Sequence, residues 1–317
     1  APRLGHILGR ECSSGELPDV VADVLHGSAM YVDYIQRRLR YEVGMLERIA
    51  SDVDYPVVLV KGAAYVVEGI PAGEGRSVND IDVLVPQWAL GDFESRLAEA
   101  GWKFDDSLTD YDDRYYRELS HELPPMRHPD CYLELDVHYG ILQPTHRLRV
   151  PFTMLFDTVA PIVGSPLKRL SRHDQVLHSA THLFMSDELR GGLRDLHDIL
   201  LLCQKGEQDE LGFWQALVRR ARQLNLEKPL YYAFYCSERL FSSLVSSEIR
   251  KAIPGLRPAG VGHRVAEALF LSYLSSAPED RRFLLVRQML YLRSHLVRMP
   301  LGLLVRHLAR KYLRLAG

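Results

Sequence analysis

Cysteine is scarce in this chain: Cys12, Cys131, Cys203 and Cys236 are the four among 317 residues, and no two form a C-x-x-C pair. That spacing argues against zinc and against a disulfide framework, and reduced thiols are expected. Long hydrophobic runs are missing as well. No uninterrupted apolar stretch approaches the ~18 residues that span a bilayer, and no basic start followed by an apolar segment opens the sequence. The expected setting is therefore the cytoplasm. An excess of one charge is also missing: a net charge of −2 excludes a surface that attracts nucleic acid everywhere. Acid is absent from one long basic stretch at the end of the sequence. From Arg281 to Gly317 there are nine Lys or Arg and no Asp or Glu.

What is present fits a folded domain or two, with 47% hydrophobic and 25% charged residues. Residues 1–14 show no periodicity and read as a lead-in. Residues 16–50 carry apolar side chains at three- and four-residue steps and predict helix. Pro56 ends that region. Val57 to Val60 predicts a buried strand, and Ala63 to Glu68 a short helix stopped by Gly69. Asp80 to Val85 alternates with period two, a half-buried strand. Pro86 opens a helix to about Ala100, closed by Gly101, and Trp102 to Phe104 predicts another strand. The aspartate-rich residues 105–114 read as a solvated loop. Tyr115 to Leu123 and Leu133 to Tyr139 read as an antiparallel pair around Pro124-Pro125 and His128-Pro129-Asp130. Beyond residue 150, Pro151, Pro161, Gly164 and Pro166 mark a connection, and the pattern turns helical: 171–186, 189–204, 213–224, 229–244, 262–275 and 281–296. The expectation is an α+β protein with three parts: an N-terminal helical segment over 1–55 packed on the core, a small mixed sheet with helices over 56–150, and an α-helical half over 151–317 that ends in a basic helix.

The alternation of Asp80-Ile81-Asp82-Val83 places both aspartates on one strand face, about 7 Å apart. Aspartate is a poor strand residue, so its presence twice needs a reason. Along Leu133 to Tyr139 the same period puts Glu134, Asp136 and His138 together. Acidic groups meeting from two strands repel unless a cation lies between them, and an all-oxygen cluster suits Mg²⁺ held together with phosphates.

With Leu59-Val60-Lys61-Gly62, Arg76 and Asp80-Ile81-Asp82-Val83-Leu84-Val85, followed by His121-Glu122-Leu123-Pro124-Pro125 and Glu134-Leu135-Asp136-Val137-His138, the chain resembles the polymerase-β-like nucleotidyltransferase superfamily. Within it, the chain is most similar to the bacterial uncharacterised nucleotidyltransferase family. The resemblance covers roughly residues 20–240. It implies a nucleotidyltransferase core and transfer of a nucleoside monophosphate from an NTP such as ATP to an acceptor hydroxyl. The acceptor would be a small molecule, a sugar, a peptide or protein, or an RNA end, in a biosynthetic or toxin role. It also implies Mg²⁺ or Mn²⁺ on Asp80, Asp82 and Asp136, with Asp136 the third carboxylate and Glu134 its rival. Gly62 would permit close backbone approach of a phosphate. Lys61 and Arg76 would hold phosphate oxygens, as a point charge and as a fork, unless they are ordinary surface charges. His138 either touches substrate or is a hydrogen-bonded strand-end residue. The superfamily turn is usually Gly-Gly or Gly-Ser, whereas Gly62-Ala63 offers no hydroxyl. That departure opens a second reading, a nucleotide-binding module without turnover.

Other features carry less. His178 and His182 are one helical turn apart, a metal-capable spacing, but with His173 they read better as core or interface histidines. Arg194 and Asp198 are spaced to pair within a helix. The basic C-terminal stretch 281–317 would either pack its apolar side on the protein or contact nucleic acid or an anionic membrane.

Overall fold

The computed structural model describes residues 3, 6, 18–186, 189, 191–276, 281–298 and 302. They form two compact units. The first takes the described residues up to Gly140 together with Thr153–Ser171, and the second takes Ile141–Phe152 together with the described residues from Arg172 onward.

The first unit is α+β. Helix α1 (Asp19–Ser51) buries Val32, Ile35, Leu39, Val43 and Leu46 along one stripe, the face that the three- and four-residue spacing specifies. Strand β1 (Val58–Leu59) leads into α2 (Lys61–Glu68), which Gly69 closes in the left-handed conformation (φ 66°). Strand β2 (Asp80–Leu84), α3 (Leu90–Glu99), β3 (Lys103–Phe104), α4 (Asp110–Leu119), β4 (Met126–Arg127) and β5 (Glu134–His138) follow. After α5 (Thr153–Phe156) the hairpin β6 (Ala160–Pro161) and β7 (Lys168–Arg169) returns to the sheet. The seven-stranded sheet has the order β3-β4-β5-β2-β1-β7-β6. It is mixed: β2 runs parallel to β5 and antiparallel to β1, and β1 runs parallel to β7.

Three expectations are corrected. Asp110–Leu119 is helical, so residues 110–114 are not loop and Tyr115 to Leu119 is not strand. Thr109 and Asp112 form a capping box at its start, and Asp113 pairs with Arg117 one turn on (2.8 Å). Those local bonds outweigh the strand preference of Tyr115 and Tyr116. Of the expected antiparallel partner only Glu122, bridged to His138, remains. The proline-marked connection contains the edge hairpin β6–β7, which belongs to the first unit.

The second unit is helical throughout its long elements: α6 (Arg172–Met185), α7 (Gly192–Asp209), α8 (Phe213–Gln223), α9 (Glu227–Leu240), α10 (Ser247–Leu256), α11 (Gly262–Ser275) and α12 (Arg281–Arg298). Its core includes Phe184, Phe213, Tyr231, Tyr232, Phe234 and Phe270, all essentially inaccessible. Asp174 of α6, fully buried, is held by a two-pronged bond from Arg220 of α8 (2.8 Å each). No described helix is long and apolar enough to cross a membrane. Helix α12 leaves Leu284, Leu285, Met289 and Leu292 exposed. The rest of the basic stretch, apart from residue 302, lies outside the described residues, as does Cys12. Cys131, Cys203 and Cys236 are free thiols.

Candidate active site

The sheet brings the acidic residues together through register. Parallel pairing sets Asp82 beside Asp136, Asp80 beside Glu134 and Leu84 beside His138. Because both strands alternate with the same phase, Asp80, Asp82, Asp136 and His138 share one face. Two supports from α1 fix the strand entries. The buried carboxylate of Glu42 accepts the N–H groups of Tyr132 and Leu133 (2.8 and 2.9 Å), just ahead of β5. Gln36 Nε2 donates to the carbonyls of Gly73 and Arg76 (3.0 Å each), holding the loop ahead of β2.

Asp82 is the centre. Its Oδ1 receives Lys61 Nζ at 2.5 Å and His138 Nε2 at 2.8 Å. The other nitrogen of His138 reaches Glu122 Oε2 at 3.1 Å. An imidazole that donates at both nitrogens to carboxylates is cationic. Burial alone would lower the pKa of His138, but Asp82 and Glu122 outweigh it and raise it to about 9. Burial likewise opposes the charge on Asp82, and Lys61 and His138 overcome it, holding the carboxyl far below its usual range. Glu122 is brought down to about 2, its bond to His138 outweighing burial. The charge of Lys61 is favoured in the same way: burial opposes it and the neighbouring Asp82 prevails.

Asp80 and Asp136 are shifted the other way. The charge of Asp82 and then burial raise Asp80. Burial and then Asp82 raise Asp136 to about 7. Two carboxyls thus resist ionisation beside a third that is fully ionised, which marks a cluster short of positive charge. Hard oxygen donors on three aspartates fit Mg²⁺ or Mn²⁺; His138, while it is cationic between its two carboxylates, lends charge and no lone pair. Asp82, Asp136 and His138 offer ligand atoms all within 4.8 Å of one another, as do His121, Glu122 and His138.

The remaining expected residues fall as follows. Glu134, beside Asp80 in the register, pairs with Arg127, whose Nε lies 2.7 Å away, while Asp136 lies beside Asp82 and His138. Lys61 is engaged by Asp82. It also holds a left-handed backbone (φ 53°), a conformation that costs a non-glycine residue of order 1 kcal/mol. Gly62 makes room for a protein group: a Cβ there would collide with the Arg76 guanidinium and press on Val78. Arg76 rests between Gly62 and the Tyr65 ring (5.7 Å), and its charge reaches Asp80. Outside this unit, His178 is buried and His182 exposed, and neither joins a metal-capable group among the described residues. Arg194 pairs with its neighbour Asp195 (3.0 Å).

Sequence reasoning assigned no role to His121, Glu122 or Tyr116. His121 stacks on His138 (5.4 Å between centroids). Tyr116 of α4 is placed so that, after burial, the charges of Glu122 and Asp136 raise its hydroxyl pKa. The His-Glu-Leu-Pro-Pro stretch was the visible signal for the first two.

No curated protein and no solved structure matches this chain. A family model does, over residues 1–242, a span that includes the whole carboxylate site. The chain belongs to the uncharacterised nucleotidyltransferase family.

Proposed function

We propose that the protein is a Mg²⁺- or Mn²⁺-dependent nucleotidyltransferase that moves a nucleoside monophosphate from an NTP to an acceptor hydroxyl. The observation that carries this reading is the parallel register of Asp80-x-Asp82 with Asp136, which sets three carboxylates on one face with two of them resisting ionisation. Asp80, Asp82 and Asp136 would hold the metal, which supplies charge neutralisation for the triphosphate and polarises the α-phosphate. Arg76, beside Asp80, binds a phosphate oxygen. Asp136 accepts the proton of the acceptor hydroxyl, its affinity for a proton near neutrality suiting a base. The acceptor oxygen bonds to the α-phosphorus, the bond from that phosphorus to the bridging oxygen breaks, and pyrophosphate leaves. Lys61 and His138 keep Asp82 ionised and in place.

A second reading, a module that binds nucleotide without turnover, is favoured by the same two cations. Lys61 and His138 already neutralise Asp82 from within the chain. Pyrophosphate release from each of the four NTPs with Mg²⁺ or Mn²⁺, compared with an Asp80→Asn, Asp82→Asn double variant, decides between them. Release that vanishes in the variant is expected for the enzyme. Metal-dependent nucleotide binding with no release in the presence of a broad set of acceptors selects the module, and neither binding nor release sinks both.

A further inference from the structure

Asp82 already holds two cations on one oxygen. Its Oδ1 receives Lys61 Nζ at 2.5 Å and His138 Nε2 at 2.8 Å. A carboxylate oxygen has two lone pairs, so Oδ1 is filled and Oδ2 is the oxygen left to ligate a metal. In a two-metal site the ions lie about 3.5–4 Å apart, and a carboxylate that serves both gives one oxygen to each. Asp82 cannot do so while Lys61 and His138 stay in place.

Both cations are built in. Lys61 opens α2 in the left-handed conformation (φ 53°), a strained backbone that the surrounding structure has to hold. His138 is buried and is anchored from the far side: its other nitrogen lies 3.1 Å from Glu122 Oε2, and His121 stacks on its ring. An imidazole engaged by carboxylates at both nitrogens has no lone pair for a metal. Both metal-capable groups among the described residues include His138. Without its lone pair, what remains is one set of oxygen donors: Asp82 Oδ2, Asp136 beside it in the register, and Asp80 two positions earlier on the same face. The charge count agrees. Asp80, Asp82, Asp136 and Glu122 bring four negative charges and Lys61 and His138 two positive ones, so a single divalent ion completes neutrality. Arg76, whose charge also acts on Asp80, serves the phosphate.

We propose that Lys61 and His138 stand in for one ion of a two-metal site, so that the carboxylate site takes a single divalent ion and its substrate is the one-to-one complex of that ion with the nucleotide. The inference rests on the nucleotidyl-transfer reading and adds to it the number of ions and the form in which the nucleotide is taken. The ammonium and the imidazolium together carry the charge of the ion they replace. Fixed on Asp82, they repel a second divalent ion from the same carboxylate.

The test is electron paramagnetic resonance of Mn²⁺ titrated at neutral pH into the full chain, with the α,β-methylene analogues of the four NTPs as probes in separate titrations. The wild type should hold one Mn²⁺ per bound analogue, with the spectrum of an isolated ion. The Lys61→Met, His138→Gln double variant should hold two, with the closely spaced lines of an exchange-coupled pair. Two Mn²⁺ and a coupled spectrum in the wild type overturn the proposal; pyrophosphate release from a natural NTP in the same preparation would leave the transfer reading standing. A double variant that still holds one ion also overturns it, because something other than the two cations then sets the count. No Mn²⁺ bound with any analogue overturns it as well, and absence of pyrophosphate release alongside removes the transfer reading too. Should the double variant fail to fold, the wild-type count and spectrum alone decide.

Discussion

Asp80 and Asp82 sit two positions apart on one strand and have opposite electrostatic characters. Asp82 is buried and held by two cations; Asp80 is crowded by Asp82. Asp82→Asn therefore leaves Lys61 and His138 facing a neutral amide and should cost about 3 kcal/mol. Asp80→Asn relieves repulsion and should gain about 1 kcal/mol. Urea denaturation of the metal-free protein checks both signs, and both variants should lose pyrophosphate release. The pH dependence has a sign of its own. His138 has a folded pKa of about 9 against 6.5 unfolded, so its contribution is complete below 6.5 and is lost as the pH rises through 9. Asp136, raised from 3.8 to about 7, subtracts stability as the pH climbs across that interval. Asp82 and Glu122 are depressed, so their contributions are lost as the pH falls below their ordinary range. Metal-free stability should peak in mildly acid solution and decline from pH 6.5 to 9, with His138→Gln flattening the alkaline limb in urea midpoints measured with chelator present. The aspartates were legible because period two is a local property of five or six residues. The partners of Asp82 were not: Glu122 reaches His138 only through a long-range bridge, and nothing local says that Lys61 turns inward.

Helix α4 shows how an element can be hidden in plain composition. Residues 105–114 contain five aspartates, and Tyr115-Tyr116 favours strand, yet Thr109-x-x-Asp112 is a capping signal that starts a helix. Thr109→Ala should cost about 1 kcal/mol, read by urea denaturation, and should loosen Tyr116 beside Glu122 and Asp136. Helix α2 carries a different constraint. Gly62→Ala places a methyl where the Arg76 guanidinium lies. Overpacking of this kind costs about 1–3 kcal/mol, and Arg76 should be displaced from Asp80; a crystal structure of the variant would show whether it is. By contrast, α1, β1, β2 and α2 announced themselves through apolar period, β-branched runs and Gly69. The two-residue strands β6 and β7 did not, because two residues are too short to show a period and β7 is fixed by pairing with β1 about a hundred residues earlier.

On the scale of the molecule, the first unit is discontinuous: the chain leaves it after Gly140 and returns at Thr153. A fragment of residues 1–150 therefore lacks β7 and bares one edge of β1, where Val58 and Leu59 are inaccessible in the full chain. Bared apolar edges aggregate. We expect the 1–171 fragment to be monodisperse by size exclusion and the 1–150 fragment not to be. The composition change near residue 150 signals the helical half, but the interleaving of 141–152 with the second unit has no local signature. That interleaving also dictates an order of events on the ribosome. The sheet cannot close until Arg169 has emerged, by which time the 141–152 segment is already out, waiting for helices not yet translated. Nascent chains from which residue 171 has just emerged should thus carry a finished sheet and an unpaired loop, the moment at which this protein most needs a chaperone.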